Sequence, residues 1–298
     1  MNVIRRHVLR AVLIVAASVT VGTCAPVLAA AAPATGAAIV TIGDSFTTST
    51  PVFGENAGCA RPVTSWPSQL GRLATAGSIR DVSCNGGALD SGEGWTLVHQ
   101  VRAAAADGGL GTGTRAIFIQ LGLNDTWGAS TGRAFPSVDC LVDLVRGCDL
   151  DAAAQNRVPD HTAVTGSAYA DRSRAAVEYL RYYAPNARIV FVGYPEIFPA
   201  GSTSACMNIL GNRVTQPRAA GWTTYIDALD RAQRDAAGLL GVEFFDTRSV
   251  TSGHGSCTAD SWVGGITSVD ELSSGAPIHP TPQGNSVVAS ALSSRYLG

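Results

Sequence analysis

Lysine is absent: all 21 basic residues are arginine, set against 23 acids. The arginines are scattered, with no basic stripe, which argues against a nucleic-acid partner. No pair of cysteines is spaced as CxxC, which weakens a zinc or thioredoxin-type reading. No motif calls for a metal or an organic cofactor, so neither is expected. Beyond residue 36 there is no internal repeat and no long low-complexity linker. Charged residues are few, at 15%, while apolar residues make up 46%. That balance excludes a disordered chain and fits a globular one.

The one long apolar run lies at the N-terminus. Arg5, Arg6 and Arg10 precede an apolar stretch from Ala11 to Thr23, and small residues follow at Ala29 to Ala32. This reads as a secretory signal peptide over 1–32, cleaved near Ala30 to Ala32. An uncleaved anchor is the rival, but the apolar stretch is shorter than a usual span. Lipid attachment at Cys24 is a further alternative, and Thr23 is a poor residue before it. Cleavage leaves 18 arginines against 23 acids, a formal charge of about −5. Residues 33–298 then form one secreted, monomeric domain with no membrane span. Six cysteines remain, Cys59, Cys84, Cys140, Cys148, Cys206 and Cys257. An even number in an exported chain points to disulfides, with 15 pairings open.

Four apolar runs predict strands: Ile39–Ile42, Ala116–Leu121, Ile189–Val192 and Val242–Phe245. Helical spacing marks Trp66–Leu73, Arg172–Tyr183, Thr223–Leu240 and a last helix from near Pro282. Strands alternating with helices imply a parallel sheet flanked on both faces. The intervals 46–64, 126–168 and 247–280 then form loops over the carboxyl edge, with the cysteines almost wholly in or beside them. Loops of that length are uncommon unless functional.

The first strand ends in Gly43-Asp44-Ser45, a turn signal at the sheet edge where open α/β sheets bind ligands. Such residues are also ordinary turn formers, and fold position alone does not establish function. A serine nucleophile needs a base and oxyanion donors. His279, in a turn before the last helix, is the best base. His254 is its competitor. His99 fits a surface or packed role, and His161 a solvated loop. Gly86 offers a backbone N–H with no Cβ in the way. Asn124 follows a strand and offers its amide, and Ser45 offers its own N–H. Trp127, just beyond Asn124, either walls the pocket or packs inside. Ser45 is not in a G-x-S-x-G elbow, which excludes the α/β-hydrolase reading.

Gly43-Asp44-Ser45, Gly86, Gly122-Leu123-Asn124-Asp125 and His279-Pro280 together resemble, in order, the four blocks of SGNH (GDSL-type) hydrolases. The similarity covers nearly all of the mature chain and is strongest to secreted actinomycete lipases and esterases. Cys84-Asn85-Gly86-Gly87, Gly193-Tyr194-Pro195 and Gly253-His254-Gly255-Ser256-Cys257 resemble further segments of those enzymes. The resemblance implies a single-domain, three-layer α/β/α sandwich with a central parallel sheet, flavodoxin-like. It implies Ser45 as nucleophile, His279 as general base, and an oxyanion hole of Ser45, Gly86 and Asn124. It also implies the disulfides Cys59–Cys84, Cys140–Cys148 and Cys206–Cys257, and a small-molecule or lipid ester as substrate. One departure stands out: the family's aspartate three residues before the histidine is Ala276 here. The expectation is a Ser–His dyad, with the Ala276 carbonyl holding the ring and no acid from Asp270 or Glu271. The alternative is an impaired scaffold that binds cell-wall glycan or lipid.

Overall fold

The computed structural model describes residues 35–49, 58–74, 78–92, 94–133, 140, 143–266 and 277–297. The proposed signal peptide, Ala276, Asp270 and Glu271 lie outside the described residues.

Five parallel strands form the central sheet: β1 (Ile39–Gly43), β2 (Ile79–Asp81), β3 (Ala116–Gln120), β4 (Arg188–Val192) and β7 (Glu243–Phe245). Their order is β2-β1-β3-β4-β7. Successive side chains of a strand point to opposite faces, and here each face has its own core. Val40, Ile42, Ile117, Ile119, Ile189 and Phe191 join one cluster. Ile39, Ala116, Phe118, Val190, Val192 and Phe245 join the other. A sheet buried on both faces needs apolar residues at both parities, hence continuous runs rather than alternation.

Helices supply the two outer layers. On the first face lie α3 (Leu97–Ala106), α4 (Gly166–Tyr183) and α5 (Ala220–Leu240), through Leu97, Val101, Tyr169, Val177, Leu180 and Leu229. On the second lie α2 (Trp66–Leu73) and α7 (Pro282–Tyr296), through Trp66, Leu70, Val288 and Leu292. Short α1 (Ser45–Thr48) and α6 (Thr247–Val250) follow β1 and β7. Hydroxyls cap four of the five long helices at the N-terminus, α5 being the exception. Ser65, Thr96, Thr165 and Thr281 each accept from a backbone N–H in the first turn, satisfying donors the helix cannot.

Three expectations need correction. Strand β2 was not predicted, because Ile-Arg-Asp is too short and polar to read as a buried run. An antiparallel hairpin, β5 (Ala205–Ile209) and β6 (Asn212–Gln216), was not predicted and stands apart from the main sheet, with Cys206 in β5. Helices α4 and α5 begin six and three residues before the predicted starts, at the residues following Thr165 and Ala219. Among the described residues no helix is long and apolar enough to cross a membrane, and no group of three or more His, Cys, Asp or Glu could hold a metal ion.

Candidate active site

Chain direction through the sheet reverses between β1 and β3, and ligands of such folds bind outside the carboxyl ends of strands at that point. Ser45 leaves β1 there, and Asn124 leaves β3. Gly43 is required at the bend. A Cβ on it would lie 2.0 Å from Thr47 Oγ1 and 2.6 Å from Thr47 Cβ. Asp44 caps α1, its Oδ1 accepting from the Phe46 N–H at 2.9 Å. Ser45 is then the first residue of α1, half-buried, and its N–H has no acceptor among the described residues.

His279 reaches the serine. Its Nε2 lies 2.8 Å from Ser45 Oγ, and its Nδ1 lies 2.9 Å from the Pro277 carbonyl. A carbonyl only accepts, so Nδ1 carries the proton and Nε2 is free to accept from the serine hydroxyl. The ring is 7% exposed and tilts against Phe46 at 4.3 Å between centroids. Burial pushes the imidazole down to about 4, with the Pro277 bond pulling the other way. Among the described residues the orienting carbonyl is Pro277's, two residues before the histidine; the one expected from Ala276 lies outside them. The positive φ of Ile278, 66°, folds the chain back so that the ring faces the nearer carbonyl.

Hydrogen bonds join the segments that carry the other expected residues to the Ser45 turn. Gly86 is exposed and has φ of 72°, a left-handed conformation that glycine adopts without strain. Its N–H has no acceptor among the described residues. Asn124 donates one amide N–H to the Gly87 carbonyl at 2.9 Å. Gly43 holds the turn from the other side, its carbonyl accepting from Cys84 N at 3.1 Å and from Gln100 Nε2 at 3.0 Å. Gln100 Oε1 in turn accepts from the Gly43 N–H at 2.8 Å. Thr48 Oγ1 reaches Asn85 Oδ1 at 2.5 Å. The last helix is pinned to the first by Asn285 Nδ2 donating to Ser49 Oγ at 2.9 Å.

The rival histidines are engaged elsewhere. His254 stacks flat on Trp262, 3.4 Å between centroids, with Nδ1 2.8 Å from the Asp260 carbonyl. His99 is exposed and meets the edge of Trp95. His161 is half-buried in a short turn rather than fully solvated, with its Nδ1 buried. Trp127 is 3% exposed, stacked toward Tyr169, so it packs inside and does not wall a pocket. The structure contains the disulfides Cys59–Cys84, Cys140–Cys148 and Cys206–Cys257.

Sequence reasoning missed the buried polar frame beneath the site. Tyr194 donates to Asp44 Oδ2 at 2.5 Å and accepts from the Leu123 N–H at 3.3 Å, tying the Ser45 turn to the Asn124 turn. Burial pushes the Asp44 carboxyl up to about 7, against the lowering effect of the Tyr194 and Phe46 hydrogen bonds. Gln120 Oε1 accepts from Thr47 Oγ1 at 2.9 Å and Trp66 Nε1 at 3.1 Å. Local pattern carries no sign of such pairings, which span up to 150 residues.

Known proteins resemble this chain. Lipase 1 of Streptomyces coelicolor is 25% identical over 260 residues, covering 86% of this chain and 85% of that protein. The crystal structure of phospholipase A1 from Streptomyces albidoflavus NA297 superposes with a TM-score of 0.63 at 22% identity, covering 87% of this chain and 99% of that one. The extracellular lipase of Streptomyces rimosus gives 0.59 at 19%, covering 85% and 98%. These two structures share the fold. The GDSL-like Lipase/Acylhydrolase family matches residues 41–287. That span starts within the strand that delivers Ser45 and ends within the helix behind His279, and the chain belongs to the GDSL-like lipase/acylhydrolase family.

Proposed function

We propose that the protein is a secreted serine ester hydrolase working through an acyl-Ser45 intermediate with a Ser45–His279 dyad. One observation carries this reading: the Ser45 Oγ to His279 Nε2 contact of 2.8 Å, with Nδ1 bound to a carbonyl. Ser45 Oγ attacks the ester carbonyl carbon as its proton passes to Nε2. The new oxyanion is received by the Ser45 and Gly86 N–H groups and the second Asn124 amide hydrogen, donors of the kind that stabilise developing charge. His279 then protonates the departing alcohol. Water, deprotonated by the same ring, releases the acid and restores Ser45.

The Pro277 carbonyl fixes the tautomer that a carboxylate fixes in a triad, without its charge. Three disulfides and an extracellular relative support export, with the signal peptide over 1–32. Relatives named lipases and a phospholipase A1 make lipid esters the first substrates to assay. The test pairs a serine-directed organophosphate with Ser45→Ala. Wild type should be labelled once, at Ser45, and inhibited. Ser45→Ala should fold, resist labelling and lose activity by on the order of 10⁶. A folded Ser45→Ala within tenfold of wild type would refute the reading. Failure of wild type to react with the label would favour the binding scaffold.

A further inference from the structure

Arg172 belongs to no sequence block, yet its guanidinium joins the two loops that follow β2 and β3. It pairs with Asp125 Oδ1 at 2.5 Å and with Asp90, and donates to Ser91 Oγ at 2.8 Å and the Thr126 carbonyl at 3.3 Å. Its plane lies over the Trp127 ring, 4.3 Å from the centroid. Asp125 is fully buried, and its carboxylate also accepts from the N–H groups of Leu89 at 2.9 Å and of Asp90 and Ser91, both at 3.3 Å. Thr126 N closes the unit by donating to Ser91 Oγ at 3.1 Å.

Residues 89–91 continue directly from the Gly86-Gly87 turn, and Asp125 is the neighbour of Asn124. Locking 89–91 to 125–127 therefore fixes the distance between two of the three proposed oxyanion donors. The Asn124 bond to the Gly87 carbonyl spans the same gap from the site side. We infer that Arg172 and Asp125 are positioning residues that set the spacing of the Gly86 N–H and the Asn124 amide, and so govern turnover rather than substrate binding. The inference rests on the oxyanion roles proposed above.

The choice of residue types fits this task. Arginine presents five donors in a rigid fork, so one side chain can hold several acceptors at fixed angles, which lysine cannot. A buried ion pair adds little stability over a well-packed apolar pair, whereas its directional bonds specify position.

The experiment measures kcat, KM and melting temperature for Arg172→Lys, Arg172→Gln, Asn124→Ala and the double variant Arg172→Gln/Asn124→Ala. Rates are normalised to sites titrated to completion with an organophosphate. Asn124→Ala should lower kcat by about 10²–10³. Arg172→Gln should lower kcat by roughly a hundredfold, the cost of a displacement near 1 Å, with KM within a factor of about three. Arg172→Lys should fall between. In the Asn124→Ala background, Arg172→Gln should cost less than about threefold more, since its effect passes through a donor already lost. If Arg172→Gln does not fold, Arg172→Lys carries the same comparison, alone and with Asn124→Ala. A lower melting temperature with kcat per titrated site within about twofold of wild type would overturn the inference, as would losses that simply multiply in the double variant. If Asn124→Ala itself keeps kcat, the oxyanion assignment falls; if only the Arg172 variants keep it, the positioning role alone falls.

Discussion

A histidine held by a carbonyl behaves differently with pH from one held by a carboxylate. Among the described residues only the Pro277 hydrogen bond opposes the burial that pushes His279 down to about 4, and it carries no charge to offset it. The acid limb of kcat/KM should therefore fall near pH 4, with activity retained through pH 5 and 6. A limb near the ordinary value of about 6.5 would show an unrecognised acid on the ring. Asp270→Asn and Glu271→Gln should each keep most activity, because Pro277 supplies the orientation. A thousandfold loss in either, with the fold preserved, would reveal a third member. Stability should follow the same two buried groups in opposite senses. His279 is depressed in the folded state, so its contribution is present above about 6.5 and lost as pH falls through 4. Asp44 is raised to about 7, so its contribution is present below about 3.8 and lost as pH rises through 7. Relative to wild type, His279→Gln should lose up to about 3 kcal/mol between pH 4 and 6.5, and Asp44→Asn should gain in relative stability between pH 4 and 7. Denaturant titrations across pH 4–8 give both differences, and parallel curves would refute them.

At the scale of elements, the β1–α1 bend and the three disulfides are the sensitive joints. Gly43→Ala places a methyl against Thr47, 2.0 Å from its Oγ1. It should cost about 1–3 kcal/mol by overpacking and lower kcat, because Ser45 moves with the bend. An unchanged kcat would mean that the bend absorbs the methyl elsewhere. The disulfides enclose 51, 25 and 8 residues of sequence separation for Cys206–Cys257, Cys59–Cys84 and Cys140–Cys148. Loop-closure entropy ranks their stabilisation in that order, with about 1.5 kcal/mol between the extremes. Melting temperatures of the three paired Cys→Ser variants test the ranking. Only loss of Cys59–Cys84 should also reduce kcat, since Cys84 opens the turn that carries Gly86.

For the molecule as a whole, the sequence disclosed its layers because both sheet faces are buried. Ile39–Ile42, Ala116–Leu121 and Ile189–Val192 are continuous apolar runs, the signature of a doubly covered sheet. The edge strand β2 and the hairpin β5–β6 escaped notice because short, half-exposed strands need no such run. In the site, Ser45, Gly86, Asn124 and His279 were legible from ordered blocks. Asp125, Tyr194 and Arg172 were not legible as a frame, because their pairings join residues from 34 to 150 positions apart. The Pro277 carbonyl was not foreseen, because spacing reveals a missing acid but not the backbone turn that brings a carbonyl to the ring. One prediction belongs to the full chain: protein collected from a bacterial host's medium should begin near Ala30 to Ala32, read by intact mass. Activity confined to the cell pellet, with the first 30 residues intact, would refute export by cleavage.

Ser45 and His279 are 234 residues apart, and the histidine is held by a turn that the last helix anchors. A chain made from its N-terminus thus possesses its proposed nucleophile long before its proposed base. Until α7 docks on α2 and Asn285 finds Ser49, Ser45 is an ordinary alcohol, no more reactive toward esters than its neighbours. On the proposed mechanism the protein is born inert and arms itself last. If the proposed export precedes folding, the cell's own esters never meet an assembled Ser45–His279 pair.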